Sequence, residues 1–176
     1  MAHRTLLLYS TTDGHTLHIC ERLKLVMTAM GHHVTLVNLN ASRTLDLKLF
    51  DRMVMGASIR YGHHHPQVAR FMTEHQAILQ SMPHAFFSVN IVARKQDKNQ
   101  PDTNPYLKKF LQKIPWKPPL VDVFAGKLDY PSYGFFDRQM IRLIMLITHG
   151  PTDPKTVIEF TDWDKVEAFA HAVCKM

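Results

Sequence analysis

Thr5-Leu6-Leu7-Leu8-Tyr9-Ser10-Thr11-Thr12-Asp13-Gly14-His15-Thr16 is the stretch that decides the fold. It opens as a short, mostly apolar run of strand length and passes into a hydroxyl-rich turn with a single glycine. Beyond the turn, Leu17, Ile19, Leu23, Leu25, Val26 and Met30 recur at roughly helical spacing until Gly31 stops the pattern. A strand without alternation, followed by a loop and a helix, is how a buried parallel sheet begins, because helices cover both of its faces.

The same unit repeats outward from this start. His33 to Asn38 and Asp51 to Met55, the latter running into Gly56, read as the second and third strands. A helical pattern through Val68, Phe71, Met72, Ile78 and Leu79 leads to Ala85 to Val89, and Leu120 to Phe124 follows later. Five buried-type strands alternating with helices predict an α/β fold, a doubly wound five-stranded parallel sheet in one domain over residues 1–176. Asp162 to Lys175 supplies a last helix with Trp163, Val166, Phe169 and Val173 on one face. Two segments exceed this framework: polar, proline-punctuated Asn90 to Pro119, with a helical candidate at Tyr106 to Ile114, and Lys127 to Gly150.

Composition narrows the setting. The 176 residues are 45% hydrophobic, enough for one substantial core. Arg4 leads only into Thr5 to Tyr9 before the polar loop, so no secretory signal is expected. Cys20 and Cys174 are too far apart for a C-x-x-C motif and fit reduced thiols. The formal net charge of +6 favours anionic partners, such as an anionic membrane surface or a carboxylate-rich small molecule. The charges are dispersed and no zinc-finger or RNP-like motif occurs, so nucleic acid is not expected as a partner.

The loop Ser10 to Thr16 lies where free backbone N–H groups and the positive end of a helix can receive an anion. It lacks the Gly-Lys-Ser/Thr of a P-loop and the three glycines of a Rossmann turn. Ser10, Thr11, Thr12 and Thr16 offer hydroxyls instead, suited to a phosphate monoester such as that of FMN; an ordinary N-cap turn is the alternative. Ligands of doubly wound sheets sit beyond the carboxyl ends of the strands. There, Gly56-Ala57-Ser58-Ile59-Arg60-Tyr61-Gly62-His63 offers glycines, a cation and an aromatic ring, and Ser88-Val89-Asn90-Ile91-Val92-Ala93-Arg94 offers backbone groups at the level of a flavin ring.

On these residues the chain resembles a known family. The first loop resembles the flavodoxin phosphate-binding signature. Gly-Ala-Ser-Ile-Arg-Tyr-Gly-His at 56–63, Ser-Met-Pro-His-Ala-Phe-Phe-Ser-Val-Asn at 81–90, Val-Ala-Arg-Lys at 92–95 and Phe160-Thr161-Asp162-Trp163 resemble the flavodoxin-like, menaquinone-dependent protoporphyrinogen oxidases of haem synthesis. So does the insertion at 127–150, with Asp137-Arg138 and its Ile141 to Ile144 pattern. The run His63-His64-His65 departs from the family, which has an aromatic residue between two histidines. The resemblance implies a flavodoxin-like sheet in the order 2-1-3-4-5 with a helical insertion near the fifth strand. It also implies FMN as cofactor, protoporphyrinogen IX as electron donor and menaquinone or ubiquinone as acceptor, at the cytoplasmic face of the cell membrane.

Phe135 to Ile147 is too apolar for a solvated loop and shorter than the ~20 residues that cross a bilayer. It reads as a substrate- or membrane-facing helix, with Arg138 and Arg142 directed to lipid phosphates or substrate propionates, or else as a helix packed on the domain's own core. Three consecutive histidines alternate in direction and do not build a metal site, and no metal is expected. His63 is instead a proton-transfer candidate beside the flavin and Arg60 a stabiliser of its reduced form or of a substrate carboxylate, with Tyr61 able to stack on the ring. The competing functions are an FMN electron carrier without its own substrate, an NAD(P)H:quinone reductase and a non-enzymatic membrane-docking module.

Overall fold

The computed structural model describes residues 2–176. Strand β1 (Arg4–Ser10) is flanked by β2 (His33–Asn38) and β3 (Arg52–Arg60). With β5 (His84–Asn90) and β6 (Leu120–Ala125), the parallel order is β2-β1-β3-β5-β6, the expected 2-1-3-4-5 once the two-residue β4 (His63–His64) is set aside. Order reverses between β1 and β3, which leaves a crevice beyond their carboxyl ends.

Side chains alternate between two cores, as strand geometry requires. Leu6 and Leu8 of β1, Met53, Met55 and Ala57 of β3, Phe86 of β5 and Val123 of β6 join one cluster. That cluster is completed by α2 (Pro66–Glu74), α3 (Gln76–Gln80) and α4 (Pro105–Leu111). Leu7, Val54, Phe87 and Phe124 point the other way, against α1 (His15–Ala29) and α6 (Trp163–Cys174). Each of these buried side chains stabilises the sheet by about 1.5–3 kcal/mol. Gly56 stands beside Phe87 in the ladder, and a Cβ there would lie 2.1 Å from the Phe87 ring. The missing side chain is the space that ring fills.

β3 is longer than its hydrophobic run. Met55 marks the end of the apolar stretch, yet the strand continues to Arg60 because Ile59 and Arg60 pair antiparallel with His64 and His63. The Tyr61–Gly62 turn between them has positive φ at both central residues, 50° and 80°, the geometry that joins strands through two residues. Position 62 is suited to this conformation and the bulky Tyr61 is not, so strain is held at the crevice edge. Likewise, the single helical pattern read through 68–79 is two helices broken at His75.

The two long excursions are ordered by specific contacts. Asn90 and Asn104 exchange side-chain amide bonds of 3.2 and 3.3 Å, and Asn104 also caps α4 by accepting from Leu107 N. The insertion starts as β7 (Lys127–Asp129), which pairs with β8 (Val157–Glu159), and contains α5 (Phe135–Ile147). A small core of Leu128, Tyr130, Tyr133 and Met145, packed by Ile91, Ile141 and Phe160, joins it to the domain.

Candidate functional site

The crevice is walled by the first loop, the end of β3, the segment after β5, Gly126 to Asp129 and the inner face of α5. Behind that wall Gly14, with a φ of 84°, turns the first loop into α1. Gly14 N donates to Thr11 Oγ1 at 3.0 Å, closing the turn, and no side chain caps the helix. The positive end of α1 therefore faces the crevice with its first-turn amides uncapped by a side chain. Thr16 lines the same wall, fully buried, and its Oγ1 has no hydrogen-bond partner. An unpaired buried hydroxyl costs about 1–3 kcal/mol, which a ligand oxygen would relieve.

His15 is fixed across the crevice. Thr161 Oγ1 donates to Ala125 O at 2.8 Å, so at the 2.6 Å contact with His15 it accepts, and His15 Nε2 carries the proton. Burial lowers the His15 pKa below the usual imidazole value and keeps the ring neutral. Arg60 Nη2 donates to Asp13 at 2.9 Å and to Asp137 at 3.3 Å, joining the first loop to α5. Tyr61 OH also donates to Asp137. Burial raises the Asp13 pKa, and the Arg60 cation opposes the rise. Burial likewise raises that of Tyr133, whose ring lies beneath the Arg60 guanidinium with 5.7 Å from Cζ to the centroid.

A flavodoxin domain model matches residues 6–155. Protoporphyrinogen IX dehydrogenase (quinone) of Escherichia coli strain K12 is 42% identical over 173 residues, 98% of this chain and 96% of that protein. The protein of the same name from Leishmania major is 44% identical over 168 residues, 95% of this chain and 73% of that protein. The chain belongs to this family of flavodoxin-domain proteins. Among solved structures, oxidised flavodoxin 1 from Bacillus cereus superposes with a TM-score of 0.56 at 14% identity, covering 98% of this chain and 97% of that one, a likeness of fold.

A flavodoxin domain points to a flavin cofactor, and the crevice fits one. Thr11, Asp13, His15 and Thr16 line the end at the first loop, Ser58 to Gly62 one side, and Val89, Asn90, Ile91 and Val92 the other. The glycine and backbone-rich walls allow the close approach that a flat ring system needs.

Other expected residues stand back from the crevice. Ser10, Thr12 and Gly14 shape the first loop without lining it, so Thr11 and Thr16 are the two hydroxyls presented. Ala57 is in the core, and Ala93 is buried with its N–H bonded to Asn90 Oδ1 at 3.0 Å. Ser88 is buried too, 2.9 Å from His64 Nε2. His63 is a correction: the hairpin turn carries it to a neighbouring hollow, away from the flavin crevice. Arg138 and Arg142 are corrected as well. Arg138 donates to the carbonyls of Tyr130 (3.1 Å) and Tyr133 (3.0 Å), and Arg142 Nε to that of Thr152 (2.9 Å), so both side chains bind backbone within the insertion.

Lys127, Asp129, Ser132 and Tyr133 line the crevice without having been singled out, and Tyr106, Ile141, Ile144 and Met145 line it from helices that the sequence had marked. Their one sequence signal was membership of the two long excursions. Among the described residues no group of three or more His, Cys, Asp or Glu could hold a metal ion.

Proposed function

We propose that the crevice holds FMN and that the protein oxidises protoporphyrinogen IX to protoporphyrin IX in haem biosynthesis, delivering the electrons to menaquinone or ubiquinone at the cytoplasmic face of the membrane. The observation that carries this reading is the buried Thr16 hydroxyl at an uncapped helix end, which no described residue satisfies and a phosphate oxygen would. The relatives' name supplies the substrate and acceptor classes.

When bound, FMN supplies two-electron transfer, so loss of six electrons and six protons from the porphyrinogen takes three rounds, each reducing one quinone. Thr11, Thr16 and the first amides of α1 anchor the phosphate end. Arg60 holds Asp13 and Asp137 together, so the loop and insertion keep one geometry around the ring. With Nε2–H committed to Thr161, His15 is left with Nδ1 as the basic atom that takes up a proton. Ile141, Ile144 and Met145 form an apolar wall that excludes water from one side.

Membrane association is supported by the outer face of α5. Phe135, Phe136, Met140, Leu143, Leu146 and Ile147 are exposed there, Phe136 by 84%. The helix has 13 residues, and no helix among the described residues is long and apolar enough to cross a membrane, so this face would lie in the interface. The inner face packs on the domain's own small core through Met145 and Ile141, and the outer face is left exposed.

The test is anaerobic mixing of the FMN-loaded protein with protoporphyrinogen IX, with and without menaquinone, following porphyrin fluorescence and flavin absorbance together. Quinone-dependent porphyrin formation is the expected result. Bound FMN without porphyrin formation would reduce the protein to an electron carrier, flavin reduction by NAD(P)H would make it a nicotinamide-linked reductase, and no FMN binding would overturn the reading of the crevice.

A further inference from the structure

A second hollow of about 440 Å³ lies on the far side of the Tyr61–Gly62 turn. Gly62 and Tyr106 line both it and the flavin crevice, so the two share a wall. The remaining lining is His63, His64 and His65, the first turns of α2 at Pro66 and Ala69, Phe110, and the cations Lys109 and Lys113. No acidic residue lines it, and among the described residues neither lysine is paired with a carboxylate. Lys109 and Lys113 are four residues apart, one in α4 and one in the turn after it, and so share a face.

The hollow has two levels. Its floor is apolar and neutral: His64 is buried, packs on Phe110 with 4.6 Å between ring centroids and is bonded to Ser88. Its rim carries two ammonium groups and two exposed imidazoles, His63 and His65. The N-terminus of α2 borders the same space, capped by His65 Nδ1, which accepts from Gln67 N at 3.3 Å. An anionic group on a short aliphatic arm suits this arrangement, with methylenes against the floor and oxygens at the rim.

We infer that this hollow is the carboxylate subsite of the enzyme, receiving the propionate arms of the porphyrinogen while its macrocycle reaches across the Tyr61–Gly62 turn toward the flavin. This rests on the proposed substrate and adds which residues select it. A substrate with two acid arms on one edge meets two unpaired lysines four residues apart, and the turn between the hollows sets how far the macrocycle reaches into the crevice. Lys109 and Lys113 are then specificity residues, remote from the reacting atoms, and His63 serves the rim rather than proton transfer at the flavin.

The test compares wild type with the double variant Lys109→Gln, Lys113→Gln, using protoporphyrinogen IX turnover and fluorescence-monitored binding of protoporphyrin IX and its dimethyl ester. The variant is expected to raise KM and weaken protoporphyrin IX binding about tenfold or more, with kcat, FMN binding and ester binding retained. Lys109→Arg, Lys113→Arg is expected to restore the acid's affinity. Both lysines are exposed, so the fold tolerates the changes, and an unchanged thermal midpoint checks this. A double variant with wild-type KM and acid affinity would overturn the subsite while leaving the enzyme reading intact. Failure of wild type to turn over porphyrinogen at all would overturn that reading and the subsite with it.

Discussion

Arg60 Nη2, at the end of β3, donates to Asp13 Oδ1 of the first loop across 2.9 Å. The same nitrogen reaches Asp137 of α5, so one guanidinium joins the phosphate end of the crevice to the insertion that covers it. Arg60→Ala removes the counter-ion of two half-buried carboxylates, and Asp13 is already the harder to ionise for its burial. FMN affinity and turnover are both expected to fall, turnover by at least about tenfold. Flavin-fluorescence titration beside steady-state assays checks this; wild-type values for both would remove Arg60 from the site.

Thr16 offers a cleaner separation of ligand binding from folding. Its hydroxyl has no partner in the protein, so Thr16→Val should leave the stability of the flavin-free protein unchanged or slightly raised. FMN binding should weaken about tenfold through loss of one hydrogen bond to the phosphate. Equal FMN affinity in the two proteins would show that the hydroxyl does not face the cofactor.

Gly56→Ala should destabilise the sheet by about 1–3 kcal/mol, since the new methyl meets the Phe87 ring at 2.1 Å. Phe87 cannot swing away, being fully buried against Phe124 and Phe169. Urea unfolding measures the loss, and Phe87→Leu in the same chain should recover part of it.

His64 makes stability depend on pH. Burial lowers its pKa to about 3 in the folded protein, against 6.5 for an exposed imidazole. Between these values the unfolded chain binds a proton that the folded one does not, so stability falls as pH drops through this window. From pH 6.5 to pH 5 the loss is about 1–2 kcal/mol. His64→Phe should flatten that part of the curve; the same slope in variant and wild type would assign the dependence to other groups.

The outer face of α5 is open to a direct test. Phe136→Ser with Leu143→Ser changes residues exposed by 84% and 51%, so folding should hold within about 0.5 kcal/mol. Co-sedimentation with anionic phospholipid vesicles should drop several-fold. Unaltered sedimentation would sink the membrane role of this face.

The sheet was legible because local pattern and burial agree. Leu6-Leu7-Leu8 and Ala85 to Val89 are apolar on both faces, and the strands they lie in extend only one or two residues past the runs that announced them. Phe135 to Ile147 gave α5 at both ends. Ile59 and Arg60 were not legible as strand, because their partners His64 and His63 have no strand-like composition and depend on a turn with Tyr61 at positive φ. The candidate site was half legible. Thr11, Thr16 and Ser58 to Gly62 stood out as chemistry beside a turn, whereas Tyr106 and Tyr133 reach the crevice only through tertiary packing. Arg138 and Arg142 misled because a basic, apolar helix suggests an outward charge, and spacing does not reveal a backbone carbonyl several residues away.

Those two arginines end on neutral acceptors, and this differs from an ion pair. A carbonyl orients a guanidinium without cancelling its charge, while the nearby acids are engaged elsewhere, Asp129 by Lys127 and Asp137 by Arg60. Two guanidinium charges on α5 thus stay uncancelled beside its exposed apolar face. On an anionic surface, as proposed, the attraction would act at a distance, through a field that fades over roughly 8 Å at physiological ionic strength. Added salt would slow the approach to such a surface more than it loosens the apolar contact once made.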